Sequence, residues 1–157
     1  MRIKLLLVGK TAESFLQEGI KIYESRLKNY INFTIMELPD VKNAKNMSKE
    51  ELMEKEAEII LKNIDNTETV VLLDERGKAF TSVEFSKQID KAMVSSVQCI
   101  TYVVGGAYGV SERVKNRANS SMSLSAMTFS HQMIRLFMVE QLYRAFSIIR
   151  NEPYHHA

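Results

Sequence analysis

The chain has 157 residues, of which 45% are hydrophobic and 25% charged, and its formal net charge is +2. These values are typical of one globular domain with its own core, and so small a net charge does not by itself indicate a nucleic-acid partner. Cys99 is the only cysteine, which excludes an internal disulfide and fits a reducing compartment. No apolar run approaches the ~20 residues that cross a bilayer, so we expect a cytoplasmic protein without a membrane segment.

Strand-like and helix-like segments alternate along the chain. Apolar runs and alternating patterns predict strands at residues 3–8, 33–38, 69–73, 99–104 and 121–124; we interpret the first as a strand rather than a signal peptide. Helical spacing predicts helices at about 12–28, within 40–65 after a capping box at Ser48 and Glu51, at 82–93, after Ser111 as a cap, and at 131–150. This order predicts a single α/β domain over residues 1–157, with a mostly parallel sheet and helices on both faces.

The last predicted helix is apolar around much of its circumference. Its hydrophobic side chains cover roughly 200°, whereas a surface helix needs a stripe of only ~100°. The surplus predicts a homodimer that forms through this helix.

The C-terminal third is basic. From Ser111 onward there are six lysines and arginines against three acids, and all three histidines lie in the same third. This distribution permits a phosphate-rich partner, although scattered solvated charge explains it equally well.

Two short segments follow predicted strands and are candidate ligand loops. The glycine loop at 105–109 matches neither the dinucleotide fingerprint nor a Walker motif, and it indicates either ligand contact or a tight turn. Asp74 and Glu75 are adjacent, and we favour a cap or an ion pair with Arg76 over acid–base chemistry.

Several polar side chains of the last helix and the tail are also candidates. His131 and Arg135 share a helix face, as do Glu140 and Arg144, which a surface ion pair would also explain. No cysteine–histidine spacing indicates a metal site, so we expect none.

Five motifs occur in order along the chain: LDERGK at 73–78, GGAYG at 105–109, LSAMTFSH at 124–131, EQLYRA at 140–145 and NEPYH at 151–155. Together they resemble the RlmH family, small methyltransferases of the SPOUT superfamily that modify pseudouridine in bacterial large-subunit ribosomal RNA. The resemblance covers essentially the whole chain. It implies an α/β sheet whose C-terminal part forms a trefoil knot, an exception to the general absence of knots.

The resemblance also implies S-adenosyl-L-methionine as cofactor, held by the loops of the knot. The positions carried over are Leu73, Gly105, Leu124, Ser125, Ala126, Met127, Thr128 and Phe129. Backbone groups of tight loops can hold the adenine with apolar side chains beside it, which needs little side-chain charge.

The family reaction implied is methylation of N3 of a pseudouridine in 23S rRNA within the ribosome. For catalysis we select Arg144, His131, Tyr154 and His155; Arg144 would hold a phosphate or base carbonyl, and His155 would accept the proton. The tail residues would reach the pocket of the second subunit of the homodimer. Two alternatives stay open: a SPOUT enzyme that modifies tRNA, and a non-catalytic α/β interaction module.

Overall fold

The computed structural model describes residues 1–156, which form alternating strands and helices. The strands are β1 (Arg2–Val8), β2 (Asn32–Leu38), β3 (Thr69–Ala79), β4 (Cys99–Val104) and β5 (Ser120–Ser123). The helices are α1 (Ser14–Leu27), α2 (Lys49–Lys62), α3 (Ser82–Val94), α4 (Glu112–Arg117) and α5 (Met133–Ile149), and a 3₁₀ turn spans Ala44–Asn46. The predicted α/β class and the parallel sheet are confirmed.

The five strands form one sheet in the order β2-β1-β4-β3-β5, and every neighbouring pair is parallel. β1 and β4 are interior strands of this sheet, which explains why their sequences are mostly apolar: both faces of each strand are covered. All carboxyl ends of the strands therefore lie at one edge of the sheet, where ligand sites of such folds form.

Two hydrophobic clusters cover the two faces of the sheet. One cluster includes Leu5, Phe85, Tyr102 and Leu142, and in it α1, α3 and α5 pack on one face of the sheet. The other includes Leu6, Ile60 and Val114, and it places α2 and α4 on the opposite face. Helices on both faces were predicted from the strand–helix alternation, and the clusters confirm this layering.

Caps and element ends agree with the sequence in most places. The capping box predicted at Ser48 and Glu51 is present at the start of α2, and a second one joins Thr81 to Glu84 before α3. Ser111 is the N-cap residue of α4, as predicted, but its buried hydroxyl makes no capping bond and has no partner within residues 1–156. The helix starts there through backbone bonds from Val114 and Lys115 to the Ser111 carbonyl.

Helix α5 buries much of its apolar surface against its own chain. It packs between α1 and α3 over the sheet, and Met138, Val139, Leu142 and Phe146 are buried there. The apolar surplus used to predict a dimer therefore finds partners without a second copy. Phe137 and Ile148 of α5 are only partly covered. Only such partly covered residues of α5 are open to contact with a second copy.

Within residues 1–156, no helix combines the length and the apolar character needed to cross a membrane.

Candidate active site

A cavity of about 500 Å³ opens at the carboxyl edge of the sheet. Leu73, Val104 and Met122 contribute to its walls from β3, β4 and β5, and the loops that follow these strands complete it. Its position is the one at which open parallel sheets bind ligands. The volume suits a small-molecule ligand or cofactor.

The first wall is a detour within β3. Leu73 and Lys78 are both paired with Met122 of β5, so residues 74–77 bulge out between them. A Cβ on Gly77 would lie 2.6 Å from the backbone N and C atoms of Met122. Only glycine permits this approach of two backbones, which presses the detour against β5. Sequence reasoning ended the strand at Leu73 because the polar residues after it look like a loop.

Asp74 shapes the same detour. Its Oδ1 accepts a hydrogen bond from the backbone N–H of Arg76 at 2.8 Å, which forms a local turn. This agrees with the preference for a capping role over acid–base chemistry. Arg76 also lines the cavity and is exposed.

The second wall is the glycine loop at 105–109. The Gly109 N–H donates to the Gly106 carbonyl at 3.1 Å, and Gly109 has φ of 84°, in the left-handed region. A Cβ on Gly105 would lie 2.7 Å from Cγ1 of Val110 and 3.0 Å from the Gly109 carbonyl oxygen. The loop is thus a tight turn, and it also lines the cavity.

The third wall follows β5 and is shaped by its own serines. The Ser123 hydroxyl donates to the Ser125 carbonyl at 2.7 Å, and the Ser125 hydroxyl accepts from the Met127 N–H at 2.9 Å. Thr128 donates to Glu75 at 3.0 Å, which joins this loop to the detour in β3. The alternation of small polar residues in the sequence therefore encodes a fixed loop.

The cavity gathers nearly all the residues that the resemblance assigned to the cofactor. The members that line it are Leu73, Gly105, Leu124, Ser125, Met127, Thr128 and Phe129. Ala126 belongs to the same loop but is exposed and does not line the cavity. Met53 of α2 and Ile134 of α5 line it as well; no local pattern distinguishes them from ordinary core residues.

His131 also lines the cavity. Burial lowers the pKa of its imidazole, and the positive charge of Arg135 lowers it further, while Asp40 acts in the opposite direction. The ring is therefore neutral at pH 7 and able to accept a proton.

The other three predicted catalytic residues lie together elsewhere, at the end of α5 and in the tail. Arg144 donates to Oε1 of Glu140 through Nη2 at 2.6 Å and through Nε at 3.1 Å, and Tyr154 donates to the same oxygen at 2.9 Å. Nη1 of Arg144 lies 3.4 Å from Nδ1 of His155. We call Glu140, Arg144, Tyr154 and His155 the tail cluster.

The chemistry of the tail cluster follows from its contacts. The bond to Glu140 raises the pKa of Arg144, so the guanidinium stays charged. Burial, a bond with Tyr23 and the bond to Glu140 raise the pKa of Tyr154, so its phenol stays protonated at pH 7. Because a guanidinium only donates, its contact favours the His155 tautomer with a bare Nδ1 and a proton on Nε2.

Aromatic contacts hold the tail on the body of the chain. The Tyr154 ring packs on Tyr143 with centroids 4.7 Å apart, and Tyr30 donates a short hydrogen bond to Glu152. That bond, together with burial, raises the pKa of Tyr30 to about 12. The segment at 151–155 is thus packed, whereas a terminal sequence is often disordered.

The structure thus divides the predicted catalytic set, since His131 lines the cavity and Arg144, Tyr154 and His155 do not. Across residues 1–156, no group of three or more His, Cys, Asp and Glu side chains is placed to hold a metal ion.

Comparison with known proteins places this fold and site in a class. The family model described as "Predicted SPOUT methyltransferase" matches residues 1–155. The chain belongs to this family of methyltransferases, whose members use a methyl-donor cofactor.

Curated relatives of this chain share one name within this family. "Ribosomal RNA large subunit methyltransferase H" of Flavobacterium johnsoniae is 51% identical over 156 residues, which cover 99% of both chains. Proteins of the same name from Christiangramia forsetii and Parabacteroides distasonis are 52% and 49% identical with the same coverage. The resemblance to the RlmH family is confirmed.

A solved structure supports the fold independently of sequence. A probable methylase family protein from Haemophilus influenzae Rd KW20 superposes with a TM-score of 0.55 at 14% identity, over 95% of this chain. The chain spans 66% of the length of that protein. At this identity the likeness concerns the fold alone.

Proposed function

We propose that this protein transfers a methyl group from S-adenosyl-L-methionine to N3 of a pseudouridine in 23S rRNA, acting on the assembled ribosome. The observation that carries the proposal is the cavity of about 500 Å³ built from three strand-end loops, in a chain about half identical to relatives named as large-subunit rRNA methyltransferases. The protein would act in the cytoplasm, where bacterial ribosomes are. Membership of a methyltransferase family argues against the non-catalytic module.

The residues of the cavity fit the proposed cofactor. Leu73, Leu124 and Met127 offer apolar surface for an adenine, and the backbone of the turn at 105–109 offers N–H and C=O groups at its edge. Gly105 keeps that turn compact, since a side chain would collide with Val110 and Gly109. When bound, the cofactor supplies a methyl group already activated by its sulfonium, so the protein has mainly to align the acceptor nitrogen.

The acceptor N3–H must lose its proton, and the neutral imidazole of His131 at the cavity suits that task. The sequence led us to expect His155 in this role. The contact of Arg144 with Nδ1 of His155 instead favours His155 as a donor through Nε2. Arg144 would hold a phosphate or a carbonyl of the base, and Tyr154 would orient Arg144 through Glu140.

We also propose the trefoil knot that the family implies. It is supported by membership of the SPOUT methyltransferase family; the close approach of Gly77 to Met122 shows only that β3 and β5 pack tightly. The chain then returns from the edge strand to α5, which packs between α1 and α3.

A homodimer would bring the divided site together. Phe15 and Ile22 of α1 are 58% and 51% exposed and are seven residues apart, on one helix face. Phe137 of α5 packs on Phe129 with ring centroids 4.8 Å apart, and Phe129 lines the cavity. We propose that a second copy docks on these exposed apolar residues and brings its tail cluster toward the cavity.

Nucleoside mass spectrometry of ribosomal RNA from a strain lacking this gene tests the proposed function. We expect methylated pseudouridine to be absent from its 23S rRNA and restored by the gene in trans. Its persistence would reject the substrate, and loss of a tRNA modification instead would favour the tRNA alternative.

A further inference from the structure

Tyr108 occupies the tip of the glycine turn, and its exposure there is unexpected for a tyrosine that lines a cavity. The side chain is 51% exposed, whereas Gly105 and Val104 below it are buried. The turn holds the residue in place through the bond from Gly109 to Gly106. Tyr108 thus presents an exposed ring on a hydrogen-bonded turn that lines the cavity.

A cation stands against this ring. Nζ of Lys49, the first residue of α2, lies 5.1 Å from the centroid of Tyr108. Arg76 lines the same cavity from the detour in β3. Neither Lys49 nor Arg76 takes part in the ion pairs formed within residues 1–156, so both charges are available to an anionic partner.

Proteins hold unpaired RNA bases with an exposed aromatic ring that stacks on the base and with nearby cations that neutralise the phosphates beside it. We propose that the open face of Tyr108 stacks on an unpaired nucleobase of the substrate RNA next to the modified nucleotide, with Lys49 and Arg76 neutralising adjacent phosphates. This inference rests on the proposed function, because it assigns the RNA to the rim and the cofactor to the floor of one cavity.

Steady-state methylation of ribosomes from a strain lacking the modification tests the stacking. We expect Tyr108→Ala to raise the KM for ribosomes about tenfold, and Tyr108→Phe, which keeps the ring, to stay within about twofold of the wild type. The Kd for S-adenosylmethionine, measured by calorimetry without RNA, stays within about twofold for both variants. Val94→Ala, at an 82% exposed apolar position at the end of α3, is the matched control and leaves both constants unchanged.

The salt dependence of ribosome binding tests the role of the cations. Removing one phosphate contact by Lys49→Gln is expected to reduce the slope of log K against log salt by about 0.7. Tyr108→Phe leaves this slope unchanged.

Four results would overturn the inference. The KM for ribosomes could be unchanged in Tyr108→Ala, or could rise equally in Tyr108→Phe. The cofactor Kd could rise in parallel with the KM, or light scattering could give a changed molecular mass for the variant, which would assign Tyr108 to a contact between copies. A wild-type protein that transfers no methyl group to ribosomal RNA is a different outcome, because it rejects the proposed function itself.

Discussion

Nη2 of Arg135 donates a hydrogen bond to the carbonyl oxygen of Val8 at 2.6 Å, which joins the first turn of α5 to the end of β1. The same guanidinium donates to the Gly9 carbonyl at 3.0 Å, to the Thr11 hydroxyl at 3.1 Å and to the His131 carbonyl at 3.1 Å. Arg135 is fully buried. It fixes the backbone of His131, and with it the side of the cavity that His131 lines.

Replacing Arg135 with Met should destabilise the fold. The carbonyls of Val8 and Gly9 would lose their partners in a buried site, and we expect the free energy of unfolding to fall by about 3 kcal/mol. Urea unfolding measures this directly. Lys21→Met, on the exposed side of α1, is the control and should change stability by less than about 0.5 kcal/mol; an equally small change for Arg135→Met would contradict the role given to Arg135.

Replacing Arg144 with Ala should separate catalysis from cofactor binding. Because the tail cluster lies apart from the cavity of its own chain, the cofactor Kd should stay within about twofold, while kcat falls about 100-fold through loss of charge stabilisation at the acceptor. Calorimetry and single-turnover methylation measure the two quantities. Arg2→Ala, an exposed arginine at the amino end of β1, should leave both unchanged. Full turnover in Arg144→Ala would remove Arg144 from the mechanism.

An aspartate on the exposed apolar face should prevent dimer formation. Ile22→Asp puts a charge at the proposed contact, and we expect light scattering to give the mass of one chain. Val94→Asp makes the same change on an even more exposed apolar residue at the end of α3, away from the proposed contact, and should keep the dimer. A wild-type protein with the mass of one chain would contradict the proposed homodimer.

The pH dependence of methylation should report the state of His131. Its pKa is lowered below the ordinary 6.5. The imidazole therefore stays neutral, and able to accept a proton, until the pH falls to this lowered pKa. We therefore expect kcat to decline only below pH 6.5, and this acid limb to disappear in His131→Gln. Persistence of the limb in His131→Gln, with its loss in His155→Gln, would assign the proton to His155.

The free energy of unfolding should also depend on the protonation of His131, and it should fall as the pH falls. Below pH 6.5 the unfolded chain binds a proton at His131 that the folded chain does not yet bind. The folded state therefore loses stability as the pH falls from 6.5 to the lowered pKa, and no more below it. In His131→Gln this part of the pH dependence of the urea midpoint should be absent, and an unaltered pH dependence would count against the lowered pKa.

Local patterns were sufficient to predict the sheet and its layers. Mostly apolar runs such as 3–8 and 99–104 mark strands buried on both faces, and the capping box at Ser48 fixes where α2 begins. Features set by contacts distant in the sequence could not be predicted in this way. The detour at 74–77 depends on the approach of Gly77 to Met122, and nothing near Gly77 in the sequence indicates it.

In the candidate site too, local motifs were predictable, whereas contacts between distant residues were not. The loops that line the cavity were predicted from their motifs, and Tyr154 and His155 were expected at the pocket of a second subunit. The separation of His131 from Arg144 was not predicted, because the spacing of two residues along one helix does not show which loops surround each of them. The role of Arg135 was missed for a similar reason, since three of its four acceptors lie in residues 8–11, over 120 positions away.

Methylation reconstituted from purified components tests whether this protein methylates N3 of a pseudouridine in 23S rRNA. The protein is incubated with S-adenosylmethionine labelled in its methyl group and with ribosomes from a strain lacking the gene, and the nucleosides of the 23S rRNA are then separated by mass spectrometry. We expect the label to appear in a single nucleoside, a pseudouridine methylated at N3. Label in another nucleoside, or none in ribosomal RNA while the protein binds its cofactor, would contradict the proposed function.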